Sequence, residues 1–239
     1  MKYVYGPVAS RRIGLSLGLS LTPYKTCDFD CIYCQLGSVK ITTTERKEYI
    51  PIDEIADELK TWLEGNKEKA AQLQYITLSG SGEPTLNLKT GELISRIKEM
   101  TQIPVALISN ASLFIDPLLR RQIAQADLIV PSLDAVTEEI FQMIDRPDPR
   151  VKLTEVIEGL VALRKEFSGK IWLEIMLVKG VNDDLRHIRK IKAVIERIRP
   201  DKVQLNSPVR SSAQQNVSAV AKTKMEKIKG ILGDKAEIV

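Results

Sequence analysis

Apolar and polar positions along the 239-residue chain switch repeatedly between a two-residue and a three-to-four-residue period, the signatures of strand and helix. Ile13 to Leu21 alternates small or polar residues with apolar ones and predicts a first strand. Ile52, Ile55, Leu59 and Leu63 then stand at helical spacing. Tyr75 to Leu78 predicts a short strand that breaks at Gly80–Ser81–Gly82. Leu93, Ile94, Ile97 and Met100 mark the next helix, Pro104 to Ile108 a strand, Leu118 to Ile123 a helix, and Leu128 to Leu133 a strand. Two further units follow: a helical stripe of Val156, Ile157, Leu160, Leu163 and Phe167 before the strand Ile171 to Val178, and Leu185, Ile188, Ile191, Ile195 and Ile198 before Val203 to Leu205. A last amphipathic helix is expected from about Ser218 to Leu232.

Six strand-then-helix units in succession imply a parallel sheet with helices packed outside it. Eight would close a full barrel. The expectation is therefore an α/β fold, an open partial (β/α)6 TIM-like barrel with parallel strands, spanning residues 1–239 as one domain. A doubly wound sheet is the alternative. Either fold puts chemistry where the strands end and the loops begin.

Composition narrows the class only modestly. Hydrophobic residues make up 44% and charged residues 28%, ordinary values for a globular chain. No apolar run approaches a bilayer span and the N-terminus lacks a secretory stretch, so a cytoplasmic location without membrane contact is expected. A net charge of +4 neither supports nor excludes an RNA substrate.

The three cysteines change the picture more. Cys27, Cys31 and Cys34 all fall directly after the first predicted strand, and there is no other cysteine. An odd count argues against a disulfide framework, and clustering argues for a metal. Iron–sulfur cubanes normally take four cysteine ligands; three would leave one iron open, and open positions are where metal sites do chemistry. A zinc knuckle would want a fourth ligand, and the one histidine, His187, lies in a helical stripe between Arg186 and Arg189, where a solvated or capping role is expected. A small electron carrier would close all four corners.

The loop resembles the radical S-adenosylmethionine (SAM) superfamily, whose signature is Cys-x₃-Cys-x₂-Cys with an aromatic before the last cysteine, here Tyr33. Gly80–Ser81–Gly82–Glu83–Pro84 resembles the family's Gly-Gly-Glu-Pro segment, with Ser81 in place of a glycine; the resemblance assigns it to the SAM amino group. Ser109–Asn110 and Ser132–Leu133–Asp134 resemble positions that hold the SAM carboxylate and ribose. Val178 to Asp183 is similar to a segment near the SAM adenine in the molybdopterin-pathway GTP cyclase.

The resemblance implies a [4Fe–4S] cluster on Cys27, Cys31 and Cys34, with SAM bound at its open iron. It further implies reductive cleavage of SAM to a 5′-deoxyadenosyl radical that takes hydrogen from a substrate, and a flavodoxin or ferredoxin as electron donor. Tyr5 to Gly14 and Asp30 to Gly37 also resemble the grouping of wyosine-base synthases and nitrogenase-cofactor maturases. Those relatives carry additional cluster cysteines that this chain lacks, so their reactions do not transfer.

Arg11, Arg12, Arg146, Arg150 and Arg210 lie near strand ends and could clamp an anion. Arg11, Arg12, Asn206 and Arg210 are the candidate substrate contacts. Three functions are open on sequence: an enzyme acting on a small anionic molecule or an RNA nucleotide, an activase placing a glycyl radical on a partner enzyme, and a non-enzymatic iron–sulfur electron carrier.

Overall fold

In the computed structural model, which describes residues 1–39, 42–209 and 212–239, the alternating segments form one eight-stranded sheet ordered β1 to β8 in sequence. The strands are β1 Val4–Ser10, β2 Gly14–Ser20, β3 Tyr75–Ser79, β4 Val105–Ser109, β5 Leu128–Pro131, β6 Lys170–Met176, β7 Lys202–Asn206 and β8 Ala236–Ile238. From β2 to β8 every neighbour pair is parallel. The helices are α1 Ile52–Gly65, α2 Lys67–Ala70, α3 Thr90–Met100, α4 Pro117–Gln122, α5 Glu138–Ile144, α6 Leu153–Glu166, α7 Leu185–Ile198 and α8 Lys222–Leu232.

The six expected units are β2 to β7. The added β1 runs antiparallel to β2, and β8 is a three-residue parallel strand at the other edge. Strands β1 and β8 do not pair among the described residues, so the sheet curls without closing.

Strand alternation separates two interiors. Leu17, Leu19, Ile76, Leu78, Leu107, Ile129, Leu173, Ile175, Val203 and Leu205 face the helices and form the main core with their buried stripes. The intervening residues face the hollow of the sheet. There Ile13, Ala106, Leu128 and Val130 form a separate buried cluster, packed against Tyr75, Ile108 and Trp172, and Tyr75 meets Trp172 edge to face at 6.4 Å. This apolar plug fills the hollow beside the starts of β3 and β5.

Local chemistry accounts for the helix ends. Asp116 caps α4 by accepting from the Leu118 amide at 2.8 Å, with Pro117 at the first helical position. Asp184 caps α7, which ends on Arg199 in the left-handed region. In α1 the stripe turns slightly from the expected one: Trp62 is buried rather than Leu63. No helix among the described residues is long and apolar enough to cross a membrane.

Candidate active site at the rim of the barrel

The cysteine loop leaves the C-terminal end of β2 and is held on two sides by backbone pairing. On one side the Lys25 amide donates to Ser81 O at 2.6 Å and the Glu83 amide to Thr26 O at 3.0 Å. The approach is so close that a Cβ on Gly82 would lie 1.8 Å from Thr26 O; only glycine fits. On the other side the Asp30 amide donates to Asp145 O at 3.1 Å, Ile32 to Ile144 O at 3.0 Å, and Asp148 to Asp28 O at 2.7 Å. Phe29 packs edge to face on Phe141 of α5 at 5.5 Å. Helix α5 and the Ile144–Asp148 clamp were not foreseen; the signal was Ile140, Phe141 and Ile144 followed by Pro147 and Pro149.

Around the thiols stand buried carboxyl groups. Asp28 is wholly buried; its Oδ1 accepts from Asn110 Nδ2 at 2.6 Å and its Oδ2 has no partner. Glu83 accepts on Oε1 from the Thr85 amide, the Thr85 hydroxyl and the Ser109 hydroxyl at 3.0, 2.6 and 2.8 Å, and on Oε2 from the Asn110 amide at 2.8 Å. Asp134 accepts from the Tyr33 hydroxyl and, at 2.7 Å, from the Met176 amide. Asp145 Oδ1 lies 3.6 Å from Cys31 Sγ.

Burial raises each of these acids. Glu83 is pushed up to about 7, with the Asp28 charge adding to burial. Asp134 is likewise pushed up to about 7, and Asp145 well above the carboxylate range by burial and then by Asp134. The Cys27 and Cys31 thiols are driven up by burial and by the neighbouring Asp28 and Asp145 respectively. Asp148 shows the contrast: bonding to the Arg150 guanidinium holds it well below the usual range.

Such a rim is short of positive charge. An orphan carboxylate oxygen, protonated acids and protonated thiols are what a polyvalent cation and an ammonium group would relieve. Among the described residues no three His, Cys, Asp or Glu side chains are grouped to hold a single metal ion. These residues fit a cluster and a cationic cosubstrate.

Most of the other candidates converge here. Ser109 and Asn110 join Glu83 to Asp28, and Ala111 after them is left-handed at φ 64, an uncommon conformation that turns the chain at the end of β4. Tyr33, Asn110, Ser132, Asp134 and Asp145 line a cavity of about 10 Å³, room for about one water. Val178 is fully buried; its amide donates to Asn182 Oδ1 at 2.8 Å, while Asn182 Nδ2 donates to Asp134 O and Met176 O, both at 2.8 Å. Asn182 therefore staples the ends of β5 and β6 together. His187 is buried rather than solvated: its ring lies against the Asp134 carbonyl, burial lowers its pKa, and Nε2 has no partner. The α7 stripe turns this residue inward beside Ile188.

The arginine candidates separate. Arg146 faces Asp30 at 3.9 Å and Arg150 is bonded to Asp148. Arg11, Arg12 and Asn206 come together across the open edge of the sheet: Arg11 Nη2 donates to Asn206 Oδ1 at 2.9 Å, Arg12 Nη1 to Glu174 Oε2 at 2.6 Å, and Asn206 Nδ2 to Glu174 Oε1 at 2.9 Å. Arg210 lies outside the described residues.

A partial barrel with three cysteines on one loop at its rim is the arrangement that the resemblance to the SAM-cleaving iron–sulfur class implies. The family model described as "Radical SAM superfamily" matches residues 21–191, and the chain belongs to that superfamily. It is 32% identical over its whole length to a UPF0026 protein of Methanocaldococcus jannaschii, covering 73% of that protein. It is also 42% identical over 95% of its length to a protein named "GTPase Obg" of Brachyspira hyodysenteriae, of which it spans only 33%. A radical SAM methyltransferase of Sphaerobacter thermophilus shares the fold with a TM-score of 0.75 at 19% identity, covering 94% of this chain and 65% of that one.

The chain is thus an enzyme whose cofactors are a [4Fe–4S] cluster and SAM, and membership removes the electron-carrier reading. Enzymes of this superfamily need a reductant.

Proposed function

We propose that Cys27, Cys31 and Cys34 are the cluster ligands, and that the Ser81–Gly82–Glu83 segment, Ser109, Asn110, Ser132, Asp134 and Val178 hold SAM. When bound, the cluster and SAM supply a one-electron cleavage of a carbon–sulfur bond and, through it, removal of hydrogen from an unactivated position. The chain's own part is to bind, orient and neutralise.

Glu83 receives the ammonium group; its buried carboxyl, already fixed by Thr85, Ser109 and Asn110, ionises once that charge arrives. Gly82 lets the backbone close on Thr26, so that this carboxyl and Cys27 share one rim. Tyr33 and Asp134 hold each other beside Ser132, fixing the positions assigned to the ribose side. The Ile144–Asp148 clamp keeps the thiols in place and excludes water. A flavodoxin or ferredoxin is the proposed electron donor, and hydrogen abstraction from a small molecule the proposed outcome.

The observation that carries this reading is the meeting of Cys27, Asp28, Glu83 and Asn110 in one connected group: Asn110 donates its backbone amide to Glu83 and its Nδ2 to Asp28, and the same Nδ2 lies 3.8 Å from Cys27 Sγ. Anaerobically reconstituted protein should release 5′-deoxyadenosine from SAM with a chemical reductant. Cys27→Ala, Cys31→Ala or Cys34→Ala should each abolish it together with the cluster's absorbance. Full SAM cleavage by any one of the three would overturn the assignment.

A further inference from the structure

Above the apolar plug, the hollow of the barrel changes character. The polar residues on the same inner face at or near the strand ends are Ser20, Ser79, Glu174 and Asn206, beside Met176 at the end of β6. Tyr5 from β1 lies on the Gly18 backbone, where a Cβ would fall 2.1 Å from its ring, and bonds Ser79 Oγ at 2.6 Å. Ser20 Oγ lies 3.4 Å from Ser81 Oγ, so this wall runs into the segment proposed to hold SAM. Across from it stand Arg12 and Glu174.

We infer that this polar mouth is the substrate chamber and that it takes the head group of a zwitterionic α-amino acid, carboxylate on Arg12 and ammonium on Glu174. The inference rests on the proposed function of the cysteine rim. Its basis is an ion pair with unequal exposure. Glu174 is 5% exposed in its side chain, while Arg12 is 31% exposed, and Tyr5 is 38% exposed although it faces inward. At this level Arg12 and Tyr5 reach solvent while Glu174 and Asn206 lie buried behind them.

Charge balance selects the ligand. A plain anion drawn to Arg12 would meet the buried Glu174 charge 2.6 Å away. A plain cation on Glu174 would repel Arg12. A molecule carrying both charges a few bonds apart inserts into the pair and leaves neither side unpaired. Each partner keeps its support: Glu174 Oε1 stays on Asn206, itself held by Arg11, and the Arg12 backbone carbonyl accepts from Gln204 Nε2 at 2.8 Å. The same inner face carries two buried polar atoms without partners, Gln204 Oε1 and Thr77 Oγ1, where a satisfied interior would have none.

A pair that served only to latch the open edge of the sheet would bind nothing, and binding without turnover separates the two roles. The full chain, cluster reconstituted and SAM present, is titrated with each of the twenty proteinogenic L-α-amino acids, binding being read by saturation-transfer NMR. At least one should bind, and its deaminated acid and decarboxylated amine should each bind at least about tenfold more weakly, because one buried charge is then left unmatched. Arg12→Gln alone would strand Glu174, so the variant is the double Arg12→Gln, Glu174→Gln. It should keep its melting temperature, cluster absorbance and SAM affinity while losing amino-acid binding.

No binding by any amino acid to the wild-type chain, or equal binding of the deaminated acid, overturns the inference. Loss of SAM affinity in the double variant also overturns it, by giving the pair to SAM. Absence of the cluster would instead overturn the reading of the rim.

Discussion

The two levels of the barrel hollow are built from the same strands and differ in what burial does. At the plug, Ile13, Ala106, Leu128 and Val130 are buried with no polar atom to satisfy, and burial is simply stabilising. At the rim, Asp28, Glu83, Asp134 and Asp145 are buried just as deeply and pushed toward their protonated forms. The plug is finished by folding. The rim is finished only by what binds to it, and its cost is the expected mark of a functional site.

The sharpest way to break that contrast is at the join between cysteine loop and barrel. Gly82→Ala places a methyl 1.8 Å from Thr26 O, against backbone that cannot step aside. Cluster content and SAM cleavage should fall to background while far-ultraviolet circular dichroism stays native, since no core residue is touched. Normal iron and activity would show that the loop is not held by this approach.

A smaller effect of opposite kind is expected at the plug. Leu128→Ala removes buried methyl groups from a packed site and should cost about 2–5 kcal/mol in urea unfolding. Iron bound per folded chain should stay unchanged. Cluster loss in proportion to stability loss would mean that the two levels are not separable.

The sequence was most legible where burial alone decides the outcome. Stripes such as Ile188, Ile191, Ile195 and Ile198 set α7, and the six parallel strands follow from alternation. Strand β1 escaped because its inner face is made of single residues such as Tyr5 laid over Gly18 rather than an apolar alternation, and β8 because three residues carry no period. Helix α5 was missed because seven residues bury only Phe141 and Ile144.

At the site, the cysteines could be picked out by their clustering, and Glu83, Asn110 and Asp134 because their segments resemble motifs of the superfamily. Asp28 and Asp145 could not, because their role comes from burial supplied by distant segments. His187 illustrates the same limit. Flanking arginines suggest solvent, yet the turn of α7 and the Asp134 carbonyl place it inside. The structure brings Arg11, Arg12 and Asn206 together through Glu174, which joins Arg12 to Asn206 from inside a strand.

The finest test concerns the proton on Glu83. Its pKa is about 7 in the folded, cluster-free chain against an ordinary 4.5, so the folded state binds the proton more tightly than the unfolded one. The resulting stability is complete below pH 4.5 and is lost as pH rises through about 7, an effect on the order of 3 kcal/mol. Asp134, also near 7, contributes in the same direction. Urea unfolding of the cluster-free chain should therefore give a lower free energy at pH 8 than at pH 5. Glu83→Gln cannot ionise, so its slope across that window should be shallower, the remainder belonging to Asp28, Asp134 and Asp145. The variant should also be the more stable protein at pH 8, while binding SAM less tightly because the ammonium group has lost its counter-charge. An unaltered slope would mean that Glu83 is already ionised in the empty site, and that the rim does not hold its charge in reserve for the cosubstrate.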